Sequence, residues 1–372
     1  MEPGRTTREF VDRIGRALER AGERGIRPVA GPGLVDLEAG EIPRPAGEDR
    51  EPAEARHLED PPGVRDPGEP DGRSRLRYFL DGVQSTRELF RIGAAPVVAT
   101  TVAAAIAERR GRRLARMRFD SPPETVRAVI LPVEAGDPRV EALRDLLVES
   151  GLRPLGYEEA PGAPWHVLSS TEHVSAPDPS DYAGLRALAF GRARTLRERL
   201  ETELLRRWEE DDRVLDNDDW LAADGQLGRP SPRAIGLIKS VSRPEFGGAE
   251  AELLLDLAPG MRTTSFIPGW QVRRTTTDQR ASWYVRCWPP QPGAGALGSL
   301  MRVEAARGTS PGMADEITRW ILAERAPLAR PDPRWPAMIY PIHHVEKTLK
   351  PAVQGSERAY LRLQRQLRRD GR

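Results

Sequence analysis

Apolar residues recur along this chain at spacings that alternate between helical and extended. Phe10, Ile14, Leu18 and Ala21 stand among Arg and Glu and predict an amphipathic helix over residues 6–24. From Gly31 to Ser74 large apolar residues are sparse, and Pro, Gly, Glu and Asp dominate; the pattern is that of an extended arm, with His57 a solvated side chain inside it. A folded domain is expected from Leu76. Arg77-Tyr78-Phe79-Leu80-Asp81-Gly82 predicts a strand that stops at its Asp-Gly pair, Glu88 to Gly93 a second strand and Pro96 to Val102 a third, together an antiparallel meander. Thr125 to Pro132 suits a buried strand. Residues 138–150 suit a helix with Val140, Leu143, Leu146 and Leu147 inward and Gly151 at C′. Residues 154–181 read as irregular. A long helix follows from Asp181 to Glu210, its inward stripe running through Leu185, Ala189, Ala193, Leu196, Leu200 and Leu204. The acidic run from Glu209 to Asp212 reads as a solvated loop.

The second half repeats the first strand's signature in Trp220-Leu221-Ala222-Ala223-Asp224-Gly225, and Ile235 to Lys239 predicts another buried strand. Glu252 to Leu257, Thr264 to Ile267, Ala281 to Trp288 and Leu300 to Glu304 are short, partly alternating runs divided by Gly and Pro, which predicts an antiparallel strand extension. A helix over 312–325, a Pro-rich crossing over 327–337 and a basic helix from Glu357 to Arg369 complete the pattern. The fold class is mixed α/β. The expected organisation is a helix and arm over residues 1–75, a main domain over 76–350 and a basic terminal helix over 351–372.

Composition changes this picture in three ways. An apolar fraction of 38% is low for 372 residues and agrees with a share of loop and arm. A net charge of +1 gives no global attraction to a polyanion, so any such binding needs local patches. Cys287 stands alone, which excludes an intrachain disulfide and a cysteine-built zinc site and predicts a reducing, cytoplasmic setting. The start of the chain lacks the basic flank and apolar core of a signal peptide. The longest apolar run, Ala94 to Ala107, is broken by Pro96, so no membrane span is expected.

The candidate chemistry lies in the carboxylates. An Asp-Gly pair alone is a common turn signal; two copies, each ending an apolar run, present Asp81 and Asp224 as paired ligands. Glu203 sits on the margin of the long helix's inward stripe and is the helix acid best aimed at them, with Glu201 the alternative. Lys239 ends a buried strand and is one of only three lysines in the chain, a compact cation suited to a phosphate or a hydroxide nucleophile. Phosphodiester hydrolysis needs an activated water and charge stabilisation, which two divalent cations held by acids from several elements supply. No phosphate-binding loop ending in Lys-Ser/Thr and no cysteine cluster points to an ATPase or a zinc enzyme. His166 and His173 form no i, i+4 pair and are read as structural. Trp270, Trp283 and Trp288 suit core packing or the stacking of unpaired bases.

In this order, a strand with Asp81-Gly82, a Glu-bearing helix, a strand with Asp224-Gly225, Ile-Gly-Leu-Ile-Lys239 and a late Tyr340-Pro341 with His343 and His344, the chain resembles the NurA nuclease family from about Leu76 to Lys350. The resemblance implies a ribonuclease-H-like mixed sheet flanked by helices and a Mn²⁺-dependent DNA nuclease with two ions, Mg²⁺ being the alternative. It also implies a homodimer, and partnership with a HerA-type hexameric ATPase in DNA end processing, repair or defence. Asp81, Glu203 and Asp224 would match the metal-binding acids and Lys239 the lysine after the second Asp-Gly. His344 would be the C-terminal histidine, a proton donor or phosphate contact, although His343 stands beside it and both follow Tyr340-Pro341 closely. Two other readings stay open: a non-catalytic scaffold that docks on an ATPase and guides DNA, and a nuclease acting on RNA.

Overall fold

The structure, a computed structural model, describes residues 3–30, 54–70, 72, 74–111, 113–117, 124–175, 177–211, 214, 218–239, 241, 244–290, 295–328 and 335–369. Most of the predicted arm, and part of the Pro-rich crossing, therefore lie outside the described residues. One large mixed sheet runs through the molecule. Its principal strands are β1 (Leu76–Ile92), β2 (Ala95–Arg110), β3 (Thr125–Leu131), β4 (Trp165–Ser169), β5 (Trp220–Asp224), β6 (Ala234–Ile238), β7 (Arg280–Arg286) and β8 (Leu300–Ala306). Across the sheet the order is β7, β8, β6, β5, β1, β2, β3, β4, with short strands at both margins. The central β5 lies parallel to both β1 and β6, and β3 parallel to β4, whereas the remaining pairs of this series are antiparallel.

The expected three-strand meander is instead one long hairpin. β1 spans 17 residues and pairs with β2 from Ile92 opposite Ala95 to Tyr78 opposite Glu108. The Asp81-Gly82 pair does not end the strand. Residues 82–87 are half-buried and, Val83 apart, polar or small, so the apolar pattern lapses there while the backbone ladder continues. Two further expectations change. Glu252 to Leu257 belongs mostly to a helix, because its Leu, Glu and Ala are helix formers and a three-Leu run does not by itself specify a period. The segment read as irregular contains β4, and His166 within it is buried, its ring nitrogens facing the carbonyls of Arg153 and Ala163 at 3.2 and 2.9 Å.

Helices cover both faces. α3 (Tyr182–Glu209; α1 is Pro3–Glu23 and α2 is Pro138–Glu149) lays Leu196, Leu200, Leu204 and Trp208 on a face formed by Tyr78, Leu80, Val102, Ala104 and Ile106. Its N-terminus is capped by Asp181, whose side chain accepts the N–H of Gly184. The short helix α4 (Gly248–Leu255) packs near the β7 end. On the opposite face α5 (Pro311–Glu324) and the first half of α6 (Tyr340–Arg369) meet Phe79, Ala105, Ile235, Leu237 and Val303. Farther along that face α1, α2 and the second half of α6 close over Leu89, Val97, Ala99 and Val129. The basic terminal helix thus begins at Tyr340, well before Glu357, and takes Pro351 in its interior. Among the described residues no helix is long and apolar enough to cross a membrane.

The N-terminal helix is part of this core. Phe10, Ile14, Ala17 and Ala21 are buried, Phe10 meets the Tyr360 ring edge to face at 6.3 Å, and Arg127 donates to Thr7 Oγ1 at 2.8 Å. Nor is His57 simply solvated. Its Nε2 lies 3.1 Å from the Glu250 carboxylate and its ring stacks on Phe246, where residues 56–57 pair with Phe266–Ile267 at the sheet margin. Phe10→Ala should lower stability by about 3–5 kcal/mol, the range for emptying a fully buried aromatic site. Chemical denaturation should read it as an earlier midpoint; an unshifted midpoint would mean that the helix is a loose appendage.

Candidate active site

Parallel pairing of β1 and β5 makes the site. Ala223 stands opposite Leu80, so Asp224, the last residue of β5, comes alongside Asp81 in the middle of β1. Asp81 lies two residues beyond Phe79, and Asp224 two beyond Ala222. Side chains two apart share a face, and Phe79 and Ala222 belong to the cluster under α5 and α6, so both carboxylates project to that side. β5 then stops because Gly225 adopts a φ of +83°, a turn its missing Cβ permits, while β1 continues. The level at which one strand ends and its neighbour continues is where the acids collect.

Asp81 is buried, at 4% exposure, and its chemistry is incomplete. Oδ1 accepts the N–H of Gly82 at 2.8 Å, whereas Oδ2 has no hydrogen-bond partner. Burial first, and then the Asp224 charge, push the Asp81 carboxyl well above its usual range; Lys239 opposes the rise, and Glu201 and Glu346 add to it. Lys239, one residue past β6, donates to Asp224 Oδ2 at 2.7 Å and to Met338 Sδ at 3.3 Å.

The helix acid at this site is Glu201. Its carboxylate lies over Gly82, where a Cβ would overlap Oε1. Gly82 is thus needed for close approach rather than for a turn, since its backbone stays extended within β1. Burial pushes the Glu201 carboxyl up to about 7, against the pull of Arg197 3.3 Å away and with the help of Asp224 and Glu198. Glu203, the acid chosen by helical face, points elsewhere. Arg206 Nη2 donates to it at 2.8 Å and Arg207 lies at 3.4 Å; the Arg206 hydrogen bonds hold its carboxyl below the usual range. The correction follows from helix geometry: two residues turn a side chain about 200°, so a stripe margin read as facing the strands belongs to the other edge. Glu203 lines a separate surface depression with Glu158 and Arg229.

A fourth acid comes from α6. Burial opposes ionisation of Glu346, but Lys350 at 3.1 Å, Lys239 and His343 outweigh it and hold its carboxyl low. His343 Nδ1 lies 3.8 Å from Glu346. His344, the expected histidine, is half-buried on the same helix and, among the described residues, no hydrogen bond or ion pair ties it to the carboxylates. A helix expected from Glu357 leaves Glu346 outside it; in the helix that begins at Tyr340, the stripe Ile342, Val345, Leu349 places Glu346 at its margin.

A cleft of about 390 Å³ opens on the α3 side of this junction. Leu80 and Ala223 line its base, Glu201 reaches into it, the Asp224–Gly225 strand end forms part of its rim, and Arg197, Arg199, Arg274 and Arg280 stand among its acids. The donor types, carboxylate oxygens with one of them buried and unpartnered, suit a hard divalent cation. Among the described residues no three His, Cys, Asp or Glu side chains are already gathered as a ligand set; Lys239 holds Asp224 instead.

No family model and no curated protein matches the chain. Among solved structures it is similar to the NurA nuclease from Sulfolobus solfataricus, with 13% identity, 80% of this chain and 86% of that chain covered, and a TM-score of 0.37. A likeness of that extent fixes no activity.

The raised carboxyl of Glu201 gives a signed expectation for the metal-free protein. Its folded-state pKa of about 7 lies above the ordinary 4.5, so stability is lost as pH rises between these values. Glu201→Gln should therefore be more stable than wild type at pH 8, by on the order of 2 kcal/mol, with the gap closing by pH 4. Denaturation at both pH values checks this, and a gap independent of pH would place the effect in packing rather than charge.

Proposed function

We propose that this chain is a divalent-metal-dependent DNA nuclease of the NurA type with a ribonuclease-H-like core. The observation that supports it best is the Asp81 carboxylate, buried with one oxygen unpartnered and set beside Asp224 on the adjoining strand. A buried carboxylate that lacks compensation costs several kcal/mol, and a cation removes that cost. Asp81, Asp224 and Glu201 would hold the ion, with Mn²⁺ or Mg²⁺ both compatible with oxygen donors. When bound, such an ion lowers the pKa of water and neutralises charge on a phosphoryl oxygen.

The remaining roles fall to side chains already placed. Lys239 tempers the charge of Asp224 and offers its ammonium to a phosphate oxygen. Arg274, exposed at the cleft, and Arg197 and Arg199, paired there with Glu201 and Glu158, suit a phosphate backbone. His343, next to Glu346, is better placed than His344 to pass a proton to the leaving oxygen. A preference for Mn²⁺, a homodimer, and coupling to a HerA-type ATPase in end processing or defence belong to the same reading, and rest on the order of sequence features from Asp81 to His344. The scaffold reading has one observation in its favour, the closed Lys239–Asp224 pair without a gathered ligand set.

End-labelled single- and double-stranded DNA and matched RNA, incubated with Mn²⁺ or Mg²⁺ and with or without the candidate ATPase, test these readings. Asp81→Ala, Asp224→Ala and Glu201→Ala should each reduce DNA cleavage by about 100-fold or more, the scale for removing one stabilising group from a reaction centre. Glu203→Ala should stay near the wild-type rate, and chelation should abolish cleavage. Gly82→Ala should match Glu201→Ala in rate yet melt close to wild type, because the atoms displaced are the tip of a flexible side chain. Folded protein that cuts nothing under any of these conditions supports the scaffold; cleavage of RNA alone reassigns the substrate.

A further inference from the structure

Trp270 stands out among the cleft residues. At 41% exposure it is the only tryptophan among the large apolar side chains exposed in the described structure, whereas Trp283 is fully buried. It lines the same cleft as Glu201 and Asp224. An indole left open to water beside a carboxylate site loses burial that the core could have given it.

Its mounting is rigid. Trp270 rides on the single turn Gly269–Gln271, and the fully buried Gln271 anchors that turn by accepting the N–H of Arg280 at 2.7 Å. Gln279 donates to the carbonyls of Val272 and Arg274 at 3.2 and 3.1 Å, tying down the segment that follows. The Arg274 guanidinium lies 5.0 Å over the indole centroid, and Arg280, also a cleft residue, is nearly buried behind the turn. An indole exposed in the cleft, with the Arg274 guanidinium at its ring, matches the chemistry of a nucleotide. The ring stacks a base and the exposed Arg274 meets a neighbouring phosphate.

Resting on the nuclease reading, we infer that Trp270 is a stacking platform for an unpaired nucleobase, so that the cleft takes single-stranded nucleic acid or a frayed end. A base inside a duplex has both faces covered by its neighbours and offers none to an indole. The platform is indifferent to base identity, because every base presents a π face.

The test is binding in chelator, which needs neither metal nor cleavage. Fluorescence anisotropy compares a labelled thymidine 12-mer, its uridine counterpart and an abasic 12-mer with the same phosphates. Trp270→Ala should weaken the thymidine strand about tenfold and leave the abasic strand unchanged. Trp270→Phe should restore most of the loss, and it should remove the quenching of tryptophan emission that the thymidine strand causes in wild type. If Trp270→Ala weakens both strands equally, or neither, the platform is overturned while the nuclease reading stands. Wild-type protein that binds no strand and cuts none overturns both. A loss confined to the uridine strand makes the platform a reader of RNA.

Discussion

The structure depends on two carboxyl groups held side by side, one of them buried, where ionisation of both is opposed. Parallel pairing of β1 and β5 brings Asp81 and Asp224 level, and the fold supplies one ammonium, from Lys239, to meet them. With Glu201 and Glu346 close enough to be felt electrostatically, acids outnumber cations at the junction. A folded chain keeps such an imbalance only if the surrounding packing is strong enough to enforce it. The two apolar layers on either side of the sheet, under α3 and under α5 and α6, do so. The strained charge balance is then a property of the resting protein that a ligand can relieve.

Topology explains why the acids meet at this level. In open α/β sheets, ligands bind in the crevice outside the carboxyl ends of the strands, and Asp224 stands at the carboxyl end of β5. Here β1 is more than three times as long as β5 and passes beyond Gly225, leaving its backbone open beside α3. Glu201 fills that opening from the helix side while Asp81 and Asp224 face the C-terminal helix. Gly82 is the window between them, and any side chain there would close it.

Much of this was legible in the sequence, for reasons that differ by element. The stripe of α3 and the run of β5 are periodic and buried, so their patterns are strong. The Asp-Gly pairs marked both aspartates, although the first is a mid-strand pair whose glycine serves a neighbouring side chain and not a turn. Helical periodicity favours Glu203 over Glu201 because a stripe margin has two edges, and only packing against Gly82 decides between them. Glu346 was hidden by Pro351, which reads as a helix breaker but sits inside α6. The rest of the cleft, Trp270 with Arg280, joins residues with no shared periodicity to Asp224 through the fold alone.

The C-terminal helix has a mechanical consequence. At thirty residues and about 1.5 Å per residue, α6 is a strut of about 45 Å. Its first turns carry Glu346 to the carboxylates, and its later turns grip the N-terminal helix through Tyr360 and through Ser356, whose Oγ lies 3.4 Å from Thr7 Oγ1. Helices α1 and α6 therefore close on each other at a distance from the acids, and the same α6 also carries Glu346 to them. Pro351 stands inside this helix between the two contact regions and removes one hydrogen bond from the ladder that joins them.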